Sequence, residues 1–215
     1  MSRAVIFVNG RIPDLELVRR LISPGDTLLA ADGGTRLALA LGLPPSVIIG
    51  DLDSLTDEHR RELDAAGTEI RQYSRDKNET DFELALRYAV DAGYREIIII
   101  AALGDRLDQT LGNLGLLTAP FLVGLDVRVD DGVERAYFVR TQAQVEGRPG
   151  DLVSLIPWGG EVIGVTTVGL RWPLQGETLY PYQTRGISNE LLGETASVSL
   201  KSGLLLVIHS RNRQS

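Results

Sequence analysis

Two aspartates one residue apart, Asp51 and Asp53, stand directly after the apolar run Val47-Ile48-Ile49, in the segment Gly50-Asp51-Leu52-Asp53-Ser54. Carboxylates spaced by two beyond the end of a strand can converge on one hard cation if the loop turns there, because such cations are held by oxygen. The same residues would also make a solvated loop in which Ser54 or Thr56 caps the next helix. A second cluster, Asp76-Lys77-Asn78-Glu79-Thr80-Asp81, follows a strand-like run over residues 69–73. Thr80 to Glu83 form a capping-box pattern, so Asp81 falls in the first turn of a helix, where a carboxylate is favourable for electrostatic reasons alone. Lys77 and Arg75 beside it are placed to offset phosphate charge. A third cluster, Gly104-Asp105-Arg106-Leu107-Asp108-Gln109-Thr110-Leu111-Gly112-Asn113, follows the run 97–101. Asp105, Asp108, Gln109 and Asn113 share a polar helix face, as they would on a merely solvated helix. Leu107, Leu111, Leu114 and Thr118 mark the face expected to meet the core, and Arg106 is a candidate phosphate ligand. The fourth is Ala31-Asp32-Gly33-Gly34-Thr35, where paired glycines between strand and helix allow a ligand to approach the backbone. Its spacing is neither that of a dinucleotide fingerprint nor that of a Walker loop.

These clusters need a scaffold that gathers strand ends. Over the first 130 residues, apolar runs at 4–8, 27–31, 47–49, 69–73, 97–101 and 122–129 alternate with amphipathic stretches that stop at Gly42, Gly67 and Gly93. That is the pattern of a mainly parallel sheet with helices on both faces, in which ligands sit at the carboxyl ends of the strands. Four polar clusters after successive strands of one sheet are hard to explain as solvation. Beyond Asp130-Asp131-Gly132 the segments become short and β-like, at 135–140, 151–156, 161–166, 196–200 and 204–209. The expected fold class is therefore α/β, with a smaller C-terminal antiparallel β-sandwich domain, divided as 1–131 and 132–215.

Composition bounds the chemistry. The formal net charge of −7 argues against general nucleic-acid binding and suits small, even cationic, ligands. No uncharged apolar stretch is long enough to predict a membrane span. Cysteine is absent and the only histidines are His59 and His209, so a metal would take oxygen ligands, which suits Mg²⁺.

The four clusters follow, in order, the motifs of the thiamine pyrophosphokinase family. Thr167-Val168-Gly169-Leu170-Arg171-Trp172-Pro173-Leu174 and Gly186-Ile187-Ser188-Asn189-Glu190 resemble that family's thiamine-binding segment. The resemblance spans nearly the whole chain. It implies a cytoplasmic, homodimeric, Mg²⁺-dependent enzyme in which the thiamine hydroxyl attacks the β-phosphorus of ATP and AMP leaves. Under it, Asp51, Asp53 and Asp81 are the metal carboxylates, and Asp105 and Asp108 are further candidate catalytic groups. Asp32, Gly33, Gly34, Lys77, Thr80, Arg106 and Gln109 fall at the ATP and its phosphates. Trp172, Ser188 and Asn189 fall at thiamine, in a site between subunits; an indole face suits a cationic aromatic ring. Asp105, Asn78 and Ile187 depart from the family pattern, which often has Gly, Asp and a small hydroxyl residue there. The rival readings are a diphosphokinase for another hydroxymethyl heterocycle, such as a pterin, and a non-catalytic nucleotide- or thiamine-binding module.

Overall fold

A strand covered on both faces has no polar side to present and reads as an unbroken apolar run. Such runs are the middle of the sheet in the computed structural model, which describes residues 3–53, 55–104 and 106–212. The chain divides into two compact units, Met1–Gly132 and Val133–Ser215.

The first unit holds six strands: β1 (Ala4–Phe7), β2 (Thr27–Ala31), β3 (Val47–Gly50), β4 (Glu69–Gln72), β5 (Glu96–Ile100) and β6 (Asp126–Asp130). All pair in parallel, in the order β6-β5-β1-β2-β3-β4. The chain winds outward from β1 to β4, then returns to the other side of β1 with β5 and β6. The direction of winding therefore reverses between β1 and β5. Five helices connect them: α1 (Leu15–Arg19), α2 (Gly34–Ala40), α3 (Asp57–Ala66), α4 (Asp81–Asp91) and α5 (Leu107–Leu116). Val5 and Phe7 of β1 join Val18, Ala38 and Leu63, from α1, α2 and α3, in one apolar cluster on one face of the sheet. Helix α4 buries Phe82, Ala85, Leu86 and Ala89 and packs against β1, β2 and β3. Its N-cap is Thr80, whose hydroxyl accepts from the Glu83 amide at 3.1 Å. Thr56 caps α3 in the same way through the His59 amide.

The second unit is a β-sandwich. One antiparallel sheet comprises β7 (Glu134–Val139), β14 (Leu205–Ser210), β9 (Leu152–Pro157) and β12 (Asn189–Glu190). The other comprises β8 (Gln142–Glu146), β13 (Thr195–Ser199), β10 (Val162–Val168) and β11 (Gln175–Leu179). Alternate residues of both sheets, among them Val145, Val153, Leu155, Val165, Val198 and Val207, make one core.

Two sequence expectations change. The run 122–129 is not one strand: Pro120–Leu122 form a 3₁₀ turn, Gly124 turns the chain at φ 83°, and β6 starts at Asp126. On α5, Leu107 and Leu111 do not face the core; they are 71% and 50% exposed, while Leu114 and Leu117 are buried. The helix is rotated so that Gln109, Gly112, Asn113 and Leu116, an i, i+3, i+4, i+7 stripe, line a cleft instead.

Candidate active site

The carboxyl ends of β2 and β3 bring three acidic side chains together. Asp32, Asp51 and Asp53 each offer an oxygen, and these oxygens lie within 4.8 Å of one another. Gly50 makes the convergence possible. It sits at φ 156°, and a Cβ there would stand 3.1 Å from Cβ of Asp32. The backbone around it is unusual. Asp32 (φ 41°), Leu52 (φ 65°) and Ala101 (φ 58°) occupy the left-handed region, following β2, β3 and β5 respectively. Non-glycine residues held there cost of order 1–3 kcal/mol each and gather at functional sites. The donor set is all oxygen, which fits a hard divalent cation. A positive charge already rests against it: the Arg75 guanidinium pairs with Asp51 at 2.8 Å and also with Asp53.

Beside the trio, a cleft of about 450 Å³ is lined by Asp32, Asn78, Thr80, Asp81, Phe82, Asp108, Gln109 and Asn113, among others. Asp81 is ion-paired to Lys77 at 2.7 Å. A neighbouring cleft of about 300 Å³ lies where the winding reverses, between the ends of β1 and β5, lined by Asn9, Gly10, Gly104, Arg106 and Asn113. Open parallel sheets bind ligands at such a switch point. Asn113 is fixed there by donating to the Ala102 carbonyl at 2.8 Å. Arg106 and Asp108 form an exposed bidentate pair, 3.2 and 2.6 Å. Arg106, together with the Gln109 amide, holds the Asp108 carboxyl below the usual carboxylate range, so Asp108 stays ionised. Gly33 and Gly34 have a packing role: a Cβ at Gly34 would collide with the Phe7 carbonyl, and one at Gly33 would meet the Asn9 side chain at 2.5 Å.

The second unit has its own pocket, about 360 Å³, lined by Trp172, Leu174, Thr184, Arg185, Gly186, Ile187 and Asn189. Trp172 is 47% exposed, with the Arg171 guanidinium 5.1 Å from its ring centre. Asn189 is buried and engaged. Its amide oxygen accepts from the Trp172 and Glu190 backbone N–H groups, and its amide nitrogen donates to the Trp172 carbonyl at 2.6 Å. Arg185 is paired with Glu177 and holds that carboxyl below its usual range.

A family model described as "Thiamin pyrophosphokinase, catalytic domain" matches residues 18–129 of this chain. A second, "Thiamin pyrophosphokinase, vitamin B1 binding domain", matches residues 140–205. The chain belongs to the thiamin pyrophosphokinase family. Among curated relatives, the thiamine pyrophosphokinase of Bacillus subtilis is 29% identical over 85% of this chain and 86% of its own length. Thiamine pyrophosphokinase 1 of Oryza sativa subsp. japonica is 26% identical over 97% and 88%. The crystal structure of a thiamin pyrophosphokinase from Geobacillus thermodenitrificans superposes with a TM-score of 0.86 at 27% identity, covering 100% of this chain and 99% of that one. As a member of this family, the chain is a thiamine diphosphokinase enzyme.

Within this family assignment, the structure sorts the residues expected from sequence. It gathers Asp32, Asp51 and Asp53; Asp32 came from the Gly-Gly turn and was not expected among the metal carboxylates. Asp81 stands outside that trio but shares a cleft with Asp32, Thr80, Asp108 and Gln109. Trp172 and Asn189 share a pocket. Ser188 is exposed at φ 55° and donates its N–H to Ser154 Oγ at 3.1 Å, outside the lining of that pocket. Asp105 and Ser54 lie outside the described residues. Sequence reasoning missed Asn9 and Phe82. Asn9 follows the β1 run directly, so its place at a strand end was a signal that went unused.

Proposed function

We propose that the enzyme transfers the β- and γ-phosphates of ATP as one diphosphate to the hydroxyl of thiamine. The thiamine oxygen forms a bond to the β-phosphorus, the bond from that phosphorus to the oxygen bridging it to the α-phosphorus breaks, AMP leaves and the hydroxyl proton is lost. The observation that carries this reading is the convergence of Asp32, Asp51 and Asp53 at the carboxyl ends of β2 and β3, beside a cleft that Asp32 itself lines. Asp51, Asp53 and Asp81 are the proposed holders of Mg²⁺, and the position of Asp32 adds it to the set. When bound, that ion would neutralise charge on the phosphoryl oxygens of the transferred group. Lys77 and Arg106 balance the remaining phosphate charge, and Gln109 and Asn113 present amides along the cleft. Asp108, kept ionised by Arg106, contributes charge rather than a proton at neutral pH.

In this reading residues 1–131 take the nucleotide and residues 132–215 take thiamine. The indole of Trp172 stacks on a cationic aromatic ring, an attraction of about 0.5–2 kcal/mol. Asn189, which clamps the Trp172 backbone from both sides, keeps that ring in place. Ser188 is the proposed polar contact to the aminopyrimidine. We further propose a cytoplasmic homodimer with thiamine bound between subunits; no helix among the described residues is long and apolar enough to cross a membrane. Incubation with ATP, Mg²⁺ and thiamine, followed by phosphorus NMR, should show AMP and thiamine diphosphate as the only products. ADP with thiamine monophosphate would refute the reading, and AMP formed with hydroxymethylpterin but not thiamine would move it to the pterin reaction.

A further inference from the structure

The trio of aspartates is not left as bare negative charge. Arg75, on the loop between β4 and α4, reaches back over it. Its Nε donates to Asp51 Oδ2 at 2.8 Å, and its terminal nitrogen pairs with Asp53 Oδ2. The Asp53 amide donates to the other Asp51 oxygen at 3.2 Å. The two carboxylates therefore point at one guanidinium, the place a divalent cation bridging them would need. The side chain of Arg75 is 67% exposed, so little besides these two ion pairs holds it there. An exposed, water-screened ion pair made by a long side chain is weak and readily exchanged.

We propose that Arg75 is an internal counter-ion that competes with the divalent cation for Asp51 and Asp53 and passes to the phosphates of the nucleotide. The site then admits the cation together with the nucleotide in preference to the cation alone. A metal ion arriving by itself must displace a guanidinium into water and leave it unpaired. One arriving on a nucleotide brings phosphate oxygens, the partners a guanidinium fork fits in bidentate fashion. Arg75 thereby couples the two binding events without being needed for the fold. This inference rests on the reading of the trio as the cation site.

The test uses the full chain and Mn²⁺ as probe, with free Mn²⁺ read by electron paramagnetic resonance, alone and with a non-hydrolysable ATP analogue. Three proteins are compared: wild type, Arg75→Gln and Asp51→Asn. Arg75→Gln should bind Mn²⁺ alone about three- to tenfold tighter, the range expected on removing one screened, two-pronged ion pair. The gain in Mn²⁺ affinity produced by the analogue should shrink by a similar factor. Loss of a merely structural contact would weaken the site, so tightening separates the two roles. An Arg75→Gln protein that binds Mn²⁺ no more tightly than wild type overturns the inference. If Asp51→Asn binds Mn²⁺ as wild type does, the carboxylates are not the cation site and both readings fall. If Asp51→Asn weakens binding while Arg75→Gln leaves it unchanged, the cation site stands and the counter-ion role alone is refuted.

Discussion

Gly50→Ala should damage the fold and the site together. The residue sits at φ 156°, where an L side chain is strained by about 1–3 kcal/mol. The new Cβ would lie 3.1 Å from Asp32 Cβ, 3.2 Å from its Cα and 3.3 Å from its N. Carbon atoms rest about 3.5–4.0 Å apart, so the ends of β2 and β3 must separate by roughly half an ångström. Overpacking of this kind costs about 1–3 kcal/mol. Together the two effects give about 2–6 kcal/mol, or a drop in melting temperature on the order of 5–25 °C for a chain of this size. Gly67→Ala is the control. Gly67 is also left-handed, at φ 71°, but nothing lies within 4 Å of its added Cβ, so only backbone strain applies. Thermal unfolding by circular dichroism compares the two variants, and Mn²⁺ titration below both transitions compares their sites. Gly50→Ala should lose Mn²⁺ affinity and Gly67→Ala should not. Equal melting temperatures with unchanged Mn²⁺ binding in both would refute the claim that Gly50 sets the spacing of Asp32 and Asp51.

Three further outcomes are expected. Asp53→Asn should keep its circular dichroism spectrum and lose several orders of magnitude in turnover; near-wild-type turnover in a coupled AMP assay would remove Asp53 from the metal set. Trp172→Ala should raise the KM for thiamine while leaving that for ATP nearly unchanged, and equal losses for both in steady-state kinetics would mark a tryptophan that supports the fold. The third concerns Asp151, buried against His209 at 2.8 Å. Burial pushes its carboxyl up, but the amides of Asn212 and Arg148 and the His209 ring together bring it below the usual range. A depressed carboxyl adds stability above its unfolded pKa, near 3.8, and loses it as pH falls through the lower folded value. Asp151→Asn should therefore flatten the acid limb of a urea-midpoint profile between about pH 5 and 2, and an unchanged limb would exclude Asp151 as its source.

Much of the first unit was legible because strands buried on both faces leave an unmistakable record: four consecutive isoleucines can hardly be anything but a central strand. The strand-end clusters were legible for the same reason, since an apolar run that stops at Gly-Asp shows where the sheet ends. What sequence could not show was rotation. Helix α5 carries leucines at the spacing of a core face, yet only packing decides which stripe turns inward, and the stripe of Gln109 and Asn113 faces the cleft. Short segments also escaped. Helix α1 spans five residues under the Asp14 cap, too few to show a period. Strands β8 and β11 carry Gln and Glu on their exposed sides and read as loop. Asp32 was visible in the sequence but its union with Asp51 was not, because that union depends on a left-handed backbone and on the missing side chain of Gly50, neither of which periodicity records.

The pairing of β1 has a consequence for how the protein is made. Ala4 lies opposite Thr27 on one side and Ile97 on the other, so the strand at the heart of the first unit waits for a partner 93 residues downstream. At a ribosomal rate of about 5–20 residues per second, that interval is roughly 5–20 s. Once β2 has been made, and for the rest of that time, the nascent chain carries a half-paired apolar edge, the surface on which strands of other molecules add. The adenine-nucleotide chemistry proposed above thus depends on a sheet that closes late. Overproduction at high temperature should be limited by capture of these unfinished chains, and a chaperone that shields the free side of Ala4–Phe7 should raise the yield of folded protein more than any change to the site itself.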